Sequence, residues 1–464
     1  MTKRTRFILF VFFLALYLIL APILIFYSLG YRFDFKNNKV FTTGGFYFRI
    51  WPVQTQVTVG DKIKQSTGMF SNEMLIQGLS AGKYNVSVSK DGYFPWQKNL
   101  NVENEQVTSI PNVTLVKQKI SFQKINPSTS SGQTNNINDF SFSPDNAEIL
   151  LASATKNGTD FSVINSQEKT EIGSAVLPIS QYSLKWSDDS SKILISGPKS
   201  QYYIFDYTRT KENMIKSFDF AKKNISDVSL DPQNPGELLY IQNGWLYGTA
   251  KKSTPIIKDL LAYKVYGKTI YWLSDSGSVY SSGFPPDDSN VPLNSATFPV
   301  KDGSSYKIFV LQNLTFLEED KNLFLLDPGT KTFENFYDPV NDMKISPDGS
   351  KIVYSNEHEI FYSDSDTASE RIFLQRFSGK ITDCFWMNNG YLVLDVSGTI
   401  KISEIDNRDK VNVIDLPGNI SLTDNTLFQL KNPKIFFDVF NKNLYILDQN
   451  SLFESEQLTD KKNY

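Results

Sequence analysis

Ile345-Ser346-Pro347-Asp348-Gly349-Ser350-Lys351-Ile352-Val353-Tyr354 decides the fold. Proline presets φ at the first turn position, aspartate hydrogen-bonds its own backbone, and glycine accepts a positive φ. An apolar residue enters the turn and a β-branched run leaves it, so the stretch reads as strand, tight turn, strand. Phe142-Ser143-Pro144-Asp145-Asn146-Ala147-Glu148-Ile149-Leu150 repeats the pattern. Related turn signals stand at Asp188, Pro232, Gly267, Asn313, Asn389 and Asn432. With Pro144 and Asp348 they are spaced 44, 44, 35, 46, 35, 41 and 43 residues apart. The mean, about 41, falls within the ~40–45 residues of a four-stranded propeller blade. A second signal keeps phase with the first: an apolar strand follows each turn, then an aromatic or aliphatic run ending in a polar turn. Tyr203-Ile204-Phe205, Trp245-Leu246-Tyr247, Ile360-Phe361-Tyr362 and Leu444-Tyr445-Ile446 are such runs. Two periodic signals in register predict a β-propeller over residues 139–460. Eight units give eight blades; seven is the alternative, because the units around Gly267 and Asn313 are degenerate.

The Ser-Pro-Asp turns resemble those of TolB-type and WD-like propeller repeats. The His and Trp-Asp signatures of WD repeats are missing, so the TolB-like class fits better. Upstream, Asn126 to Asn136 holds almost nothing but small and polar residues and predicts a linker over 118–138.

Before the linker, Tyr84, Val86 and Val88 alternate with Asn85, Ser87 and Ser89, as a strand with one buried face requires. Gly82-Lys83, Asp91-Gly92 and Gly60-Asp61-Lys62 supply turns, and a small β-sandwich is expected over 45–117. The run Gly78-Leu79-Ser80-Ala81-Gly82-Lys83-Tyr84 through Asp91-Gly92-Tyr93-Phe94-Pro95-Trp96 resembles the second half of a PEGA domain. The motif that names that family is replaced by Pro52-Val53-Gln54-Thr55, of which only the proline is kept. The resemblance implies an exported bacterial or archaeal protein associated with the cell envelope. Tyr93, Phe94 and Trp96 are the candidate partner-contact residues. Plugging the end of the sandwich is the preferred reading for them, and a sugar- or partner-stacking patch is the sharper one.

Phe7 to Leu29 is an uncharged run of 23 residues, enough to cross ~30 Å of hydrocarbon. Lys3, Arg4 and Arg6 precede it, which predicts a cytoplasmic tail at 1–6, a single-pass signal-anchor at 7–29 and a juxtamembrane segment at 30–44. The bulk of the chain then lies outside the cytoplasmic membrane. A cleaved signal peptide is the alternative, but the run is long and Phe26-Tyr27-Ser28-Leu29-Gly30 makes a poor cleavage site.

A net charge of -3 argues against nucleic acid as a partner. One cysteine, Cys384, excludes an intrachain disulfide, and with one histidine, His358, it leaves little for a metal or haem site. No Gly-x-Ser-x-Gly elbow occurs. His358 falls in Asn356-Glu357-His358-Glu359, read as an exposed hairpin turn. Asp364-Ser365-Asp366 and Asp287-Asp288 lack the rest of a calcium loop and read as solvated turns. Trp186, Trp272, Trp386 and Cys384 read as core. No catalytic, cofactor-binding or metal residue is expected. The sequence therefore points to an all-β, membrane-anchored binding or scaffolding protein, whose propeller meets an envelope protein or glycan. A carbohydrate-active propeller enzyme, lyase or glycosidase, is the alternative.

Overall fold

The computed structural model describes residues 3–28, 30–34, 39–60, 63–126, 136–220, 224–251, 254–286, 290–337, 339–366 and 370–460. Asp61-Lys62, residues 127–135 of the expected linker and Asp287-Asp288 lie outside the described residues. Two compact units emerge: residues 1–120, 403–414 and 457–464 in the first, 121–402 and 415–456 in the second.

The first unit opens with a helix, Lys3–Ser28, whose mean hydropathy reaches 3.0 and none of whose residues is buried in protein. At 1.5 Å per residue it extends ~39 Å, long and apolar enough to cross a bilayer. Gly30, at φ +89°, turns the chain out of the helix, and Arg32 caps the junction. Its guanidinium donates to the Tyr27 carbonyl at 2.7 Å and lies 3.6 Å from the centre of the Tyr27 ring. Strand Tyr31–Asp34 then pairs with the start of Lys39–Trp51, from Tyr31 opposite Thr42 to Asp34 opposite Lys39. The expected juxtamembrane connector, 30–44, is therefore largely a β-ladder, and the sandwich begins well before residue 45.

Glu73–Ser80 (antiparallel) and Val107–Thr114 (parallel) flank Lys39–Trp51 in one sheet. Ile63–Ser66, Gln56–Val59, Gly82–Ser89 and Trp96–Val102 form the other. Alternate residues meet between them: Phe46, Phe48 and Ile50 against Val57, Val86, Val88 and Leu100, all essentially inaccessible. The same alternation points Lys98 inward, at 0% exposure. Its ammonium is 2.7 Å from Glu404 Oε1 and donates to the carbonyls of Asp406, Arg408 and Lys410 at 2.6, 2.9 and 2.6 Å. Glu404 also accepts from Trp96 Nε1 at 2.7 Å and from Asn412. A buried charge pair persists when its remaining polar positions are satisfied, and this network places segment 403–414 in the first unit.

The second unit is a β-propeller. Among the described residues, eight sheets follow one another along the chain, all antiparallel except that Asn419–Leu422 pairs in parallel with Ser121–Lys124 in the eighth. Their first strands are Ile137–Phe142, Ser183–Trp186, Ile225–Leu230, Leu260–Tyr266, Tyr306–Leu311, Asp342–Ile345, Ile381–Asn388 and Lys434–Asp438. The third and fourth sheets have three strands each in the described residues, and the others before the eighth have four. In the eighth, Ser451–Ser455 pairs with Ser121–Lys124, a strand from before the first sheet. That strand lies in the stretch read as linker. The polar run begins only at Asn126, and Phe122 and Ile125 are buried. Ile125, Phe140 and Phe142 share one core with Tyr445, Leu447 and Leu452, so the last sheet packs on the first and the ring closes.

The deciding turn repeats atom for atom. Ser346 Oγ donates to Asp348 at 2.6 Å and accepts from the Lys351 amide at 2.9 Å. Ser143 with Asp145 and Glu148, and Ser187 with Asp189 and Lys192, do the same within 0.1 Å. Gly349 sits at φ +73° where Asn146 and Ser190 adopt +59°. Seven of the turn markers fall between the first and second strands of their sheets. The eighth does not: Asn432 precedes the first strand of the last sheet, and the true hairpin is at 439–442, where the Asp438 carboxylate accepts the Phe440 amide. The inserted hairpin of Asn419–Leu422 and Leu427–Gln429 lengthens this unit and displaces the marker by one strand.

Candidate functional site: the first strands of the ring

Each first strand carries at least one charged residue among apolar and small polar ones. In chain order these residues are Asp139, Lys185, Asp227, Lys264, Lys307, then Asp342 with Lys344, Asp383 and Lys434. A strand that buries one face and carries lysine or aspartate on the other presents that face to water. Successive first strands are neighbours, and polar bonds from sheet to sheet fix their spacing. Trp186 Nε1 donates to Ser141 Oγ and Trp386 Nε1 to the Lys344 carbonyl, both at 3.1 Å. Tyr263 bonds the Ser229 hydroxyl at 2.7 Å and the Asp227 carbonyl at 2.9 Å.

One arc of this wall is ion-paired. Lys434 bridges to Asp139, and Lys344 lies 2.9 Å from Asp342 and 3.9 Å from the centre of the Phe385 ring. Between them stands Asp383, opposite buried Asp395 in the strand register. Burial pushes the Asp383 carboxyl up to about 6, with Asp395 and Asp342 adding to it against Lys344 and Lys434. It is a half-buried acid that holds its proton more tightly than an ordinary aspartate.

The other arc is open. Lys185, Asp227, Lys264 and Lys307 line a cavity of about 290 Å³ spanning the first strands of four consecutive sheets. Burial raises the Asp227 carboxyl even though these three lysines pull it down. A second cavity, about 400 Å³, lies between the second and third sheets. There Lys192 and Arg209 pair with Asp206, and Lys216 with Glu237.

The residues singled out from sequence lie elsewhere. Trp96 is in the sandwich core, 3% exposed, while Tyr93 and Phe94 are half-buried beside it. Tyr93 packs on that core, with the Lys90 ammonium 5.7 Å from its ring centre. His358 is in a hairpin turn but only half-exposed, its Nδ1 3.0 Å from the Gly379 carbonyl across a neighbouring loop. Asp364 and Asp366 are exposed. Cys384 is buried, and burial pushes its thiol up to about 12. Sequence reading missed the charged wall, although a signal was present. Asp139, Lys185, Asp227, Asp342 and Lys344 stand two or four residues before the first residue of their turns, on the face opposite the core.

No family model matches the chain, and no curated protein matches it. Among solved structures, it is similar to the C-terminal WD40 domain of Sif2 (TM-score 0.47, 11% identity, covering 74% of this chain and 99% of that one). It is also similar to the Dos1 propeller (0.45, 13%, 74% and 96%) and to the Cps50 (Swd1) β-propeller domain of Myceliophteria thermophila (0.41, 10%, 70% and 97%). The propeller assignment rests on the strand order and ring closure described above.

Proposed function

We propose that the chain is a membrane-tethered binding protein whose propeller recognises a protein or glycan of the cell envelope through its charged inner wall. The observation that carries the reading is at least one charged residue on every first strand, with tryptophan and tyrosine bonds tying several neighbouring sheets together. Preorganised charges at fixed spacing favour recognition and orientation of a ligand. The apolar helix acts as the anchor, and the sandwich, PEGA-like in its Tyr84/Val86/Val88 strand and Asp91-Gly92 turn, stands next in the chain. Its core residues Tyr93 and Trp96 then serve packing first.

The test is affinity capture of the full chain from native membranes, comparing wild type with Lys344→Glu/Lys434→Glu. Partners lost with the double reversal, while melting is retained, support the reading. Unchanged recovery overturns the role of the wall. The second reading, a carbohydrate-active enzyme, is favoured only by the acid at Asp383; turnover of an envelope glycan that Asp383→Asn abolishes would establish it.

A further inference from the structure

The apolar helix and the β-ladder after it are fastened into one piece. The Gly30 amide donates to the Tyr27 carbonyl at 3.2 Å, and the Gly30 carbonyl accepts the amide and the hydroxyl of Thr43 at 2.9 and 2.8 Å. With the Arg32 bond to Tyr27, these hold strand Tyr31–Asp34 against the helix end. The depth of that end follows from length. About 20 helical residues cross ~30 Å of hydrocarbon. With Arg6 at one boundary, the other falls near Phe26, shortly before the ladder begins.

The ladder is two-faced. Directly opposed residues share a face, and alternate residues return to it. Phe33 opposes Val40 and Tyr31 opposes Thr42, so Tyr31, Phe33 and Val40 stand on one face and Arg32, Lys39 and Phe41 on the other. Phe33 is 45% and Val40 63% exposed, which leaves an apolar pair largely open to its surroundings. That face continues the helix surface: the Tyr31 ring meets Phe26 edge-on, 5.5 Å between centres, and Leu24, Phe26 and Tyr27 are exposed. Charge is absent from Phe7 to Tyr31 and returns at Arg32 and at exposed Lys39, on the opposite face. An element with apolar side chains on one face and cations on the other suits the bilayer interface, where aromatic residues also gather.

We infer that Tyr31, Phe33 and Val40 seat this ladder in the headgroup layer of the bilayer that the helix crosses, so that the lipid surface is the partner of this face. The inference rests on the reading of the helix as an anchor, and it names a membrane contact beyond that helix. The test reconstitutes the full chain in phosphatidylcholine vesicles with a polarity-sensitive fluorophore at Val40→Cys, Lys39→Cys or Leu75→Cys. Native Cys384 is buried and stays unlabelled, and Leu75, exposed on sandwich strand Glu73–Ser80, is the water-facing control. At Val40 the emission should shift to the blue. Lipids bearing a nitroxide near the top of the acyl chain should quench it at least about twofold more than at Leu75, with Lys39 between the two. Phe33→Glu should reduce the quenching at Val40 while the chain stays in the vesicles. A Val40 label as wet and unquenched as that at Leu75, in chains that resist alkaline extraction, overturns the inference and leaves the anchor standing. Chains that alkali releases overturn both. A Val40 label shielded from water yet untouched by lipid nitroxides, with Val40→Cys chains joining as disulfide dimers, would give the face to a second copy and also overturn it.

Discussion

At Ser346 one hydroxyl holds both sides of a turn, donating to Asp348 and accepting from Lys351 in a site only 2% exposed. Removing it in Ser346→Ala leaves the Lys351 amide unsatisfied and should cost about 1–3 kcal/mol in chemical denaturation; a loss below 0.5 kcal/mol would show the turn forming without it. The Asp348 carboxyl is pushed up by burial, but bonds from Ser346 and Ser350 and the nearby Lys351 outweigh this and hold it below its ordinary value. Its contribution is therefore present above pH ~4 and lost as pH falls through the lower folded value. Asp348→Asn should flatten the acid limb of the stability curve. Asp383 has the opposite sign. Its carboxyl is raised to about 6, so it binds a proton more readily in the folded state and destabilises the protein increasingly as pH climbs from ~4 to ~6. Asp383→Asn should be more stable than wild type by about 1–2 kcal/mol at neutral pH, with the difference shrinking toward pH 4.

At the scale of elements, the devices that matter most are those joining residues distant in sequence. Lys98→Met would leave Glu404 buried beside no cation and should cost about 3–5 kcal/mol. Adding Glu404→Gln, which keeps an acceptor for Trp96, should recover part of that in thermal melts; a single variant as stable as wild type would remove the pair from the account. The propeller's local chemistry was legible: Ser-Pro-Asp turns and period-2 strands are written within ten residues, and seven of the eight markers landed on the expected hairpin. Lys98 was not, because a lysine at an inward position declares nothing about a partner some three hundred residues away. Nor was Ser121–Lys124, a short strand whose pairing with Ser451–Ser455 is decided by ring closure rather than by its own pattern. The charged wall was half legible, as residues without the geometry that gathers them. The misplaced eighth marker has a plain cause, since the hairpin at 419–429 puts extra turn residues ahead of the sheet.

For the whole molecule, the charges at Lys3, Arg4 and Arg6 and the apolar helix predict that protease added outside intact cells or spheroplasts digests the sandwich and propeller. Full protection of both would reverse the orientation. Within the propeller, Phe122→Asp puts a charge where 3% exposure now holds a phenyl ring, and it should cost more than about 3 kcal/mol and loosen the first and last sheets together in hydrogen exchange. Loss of protection confined to residues near 122 would mean that the ring closes without that strand. The pairing of 121–124 with 451–455 also sets a clock on biogenesis. As the chain grows from its N-terminal end, the strand that seals the ring is made early and stays unmated with Ser451–Ser455 until the last sheet has followed. A chain cut short of that sheet leaves the edge of Ser121–Lys124 open and the ring unsealed.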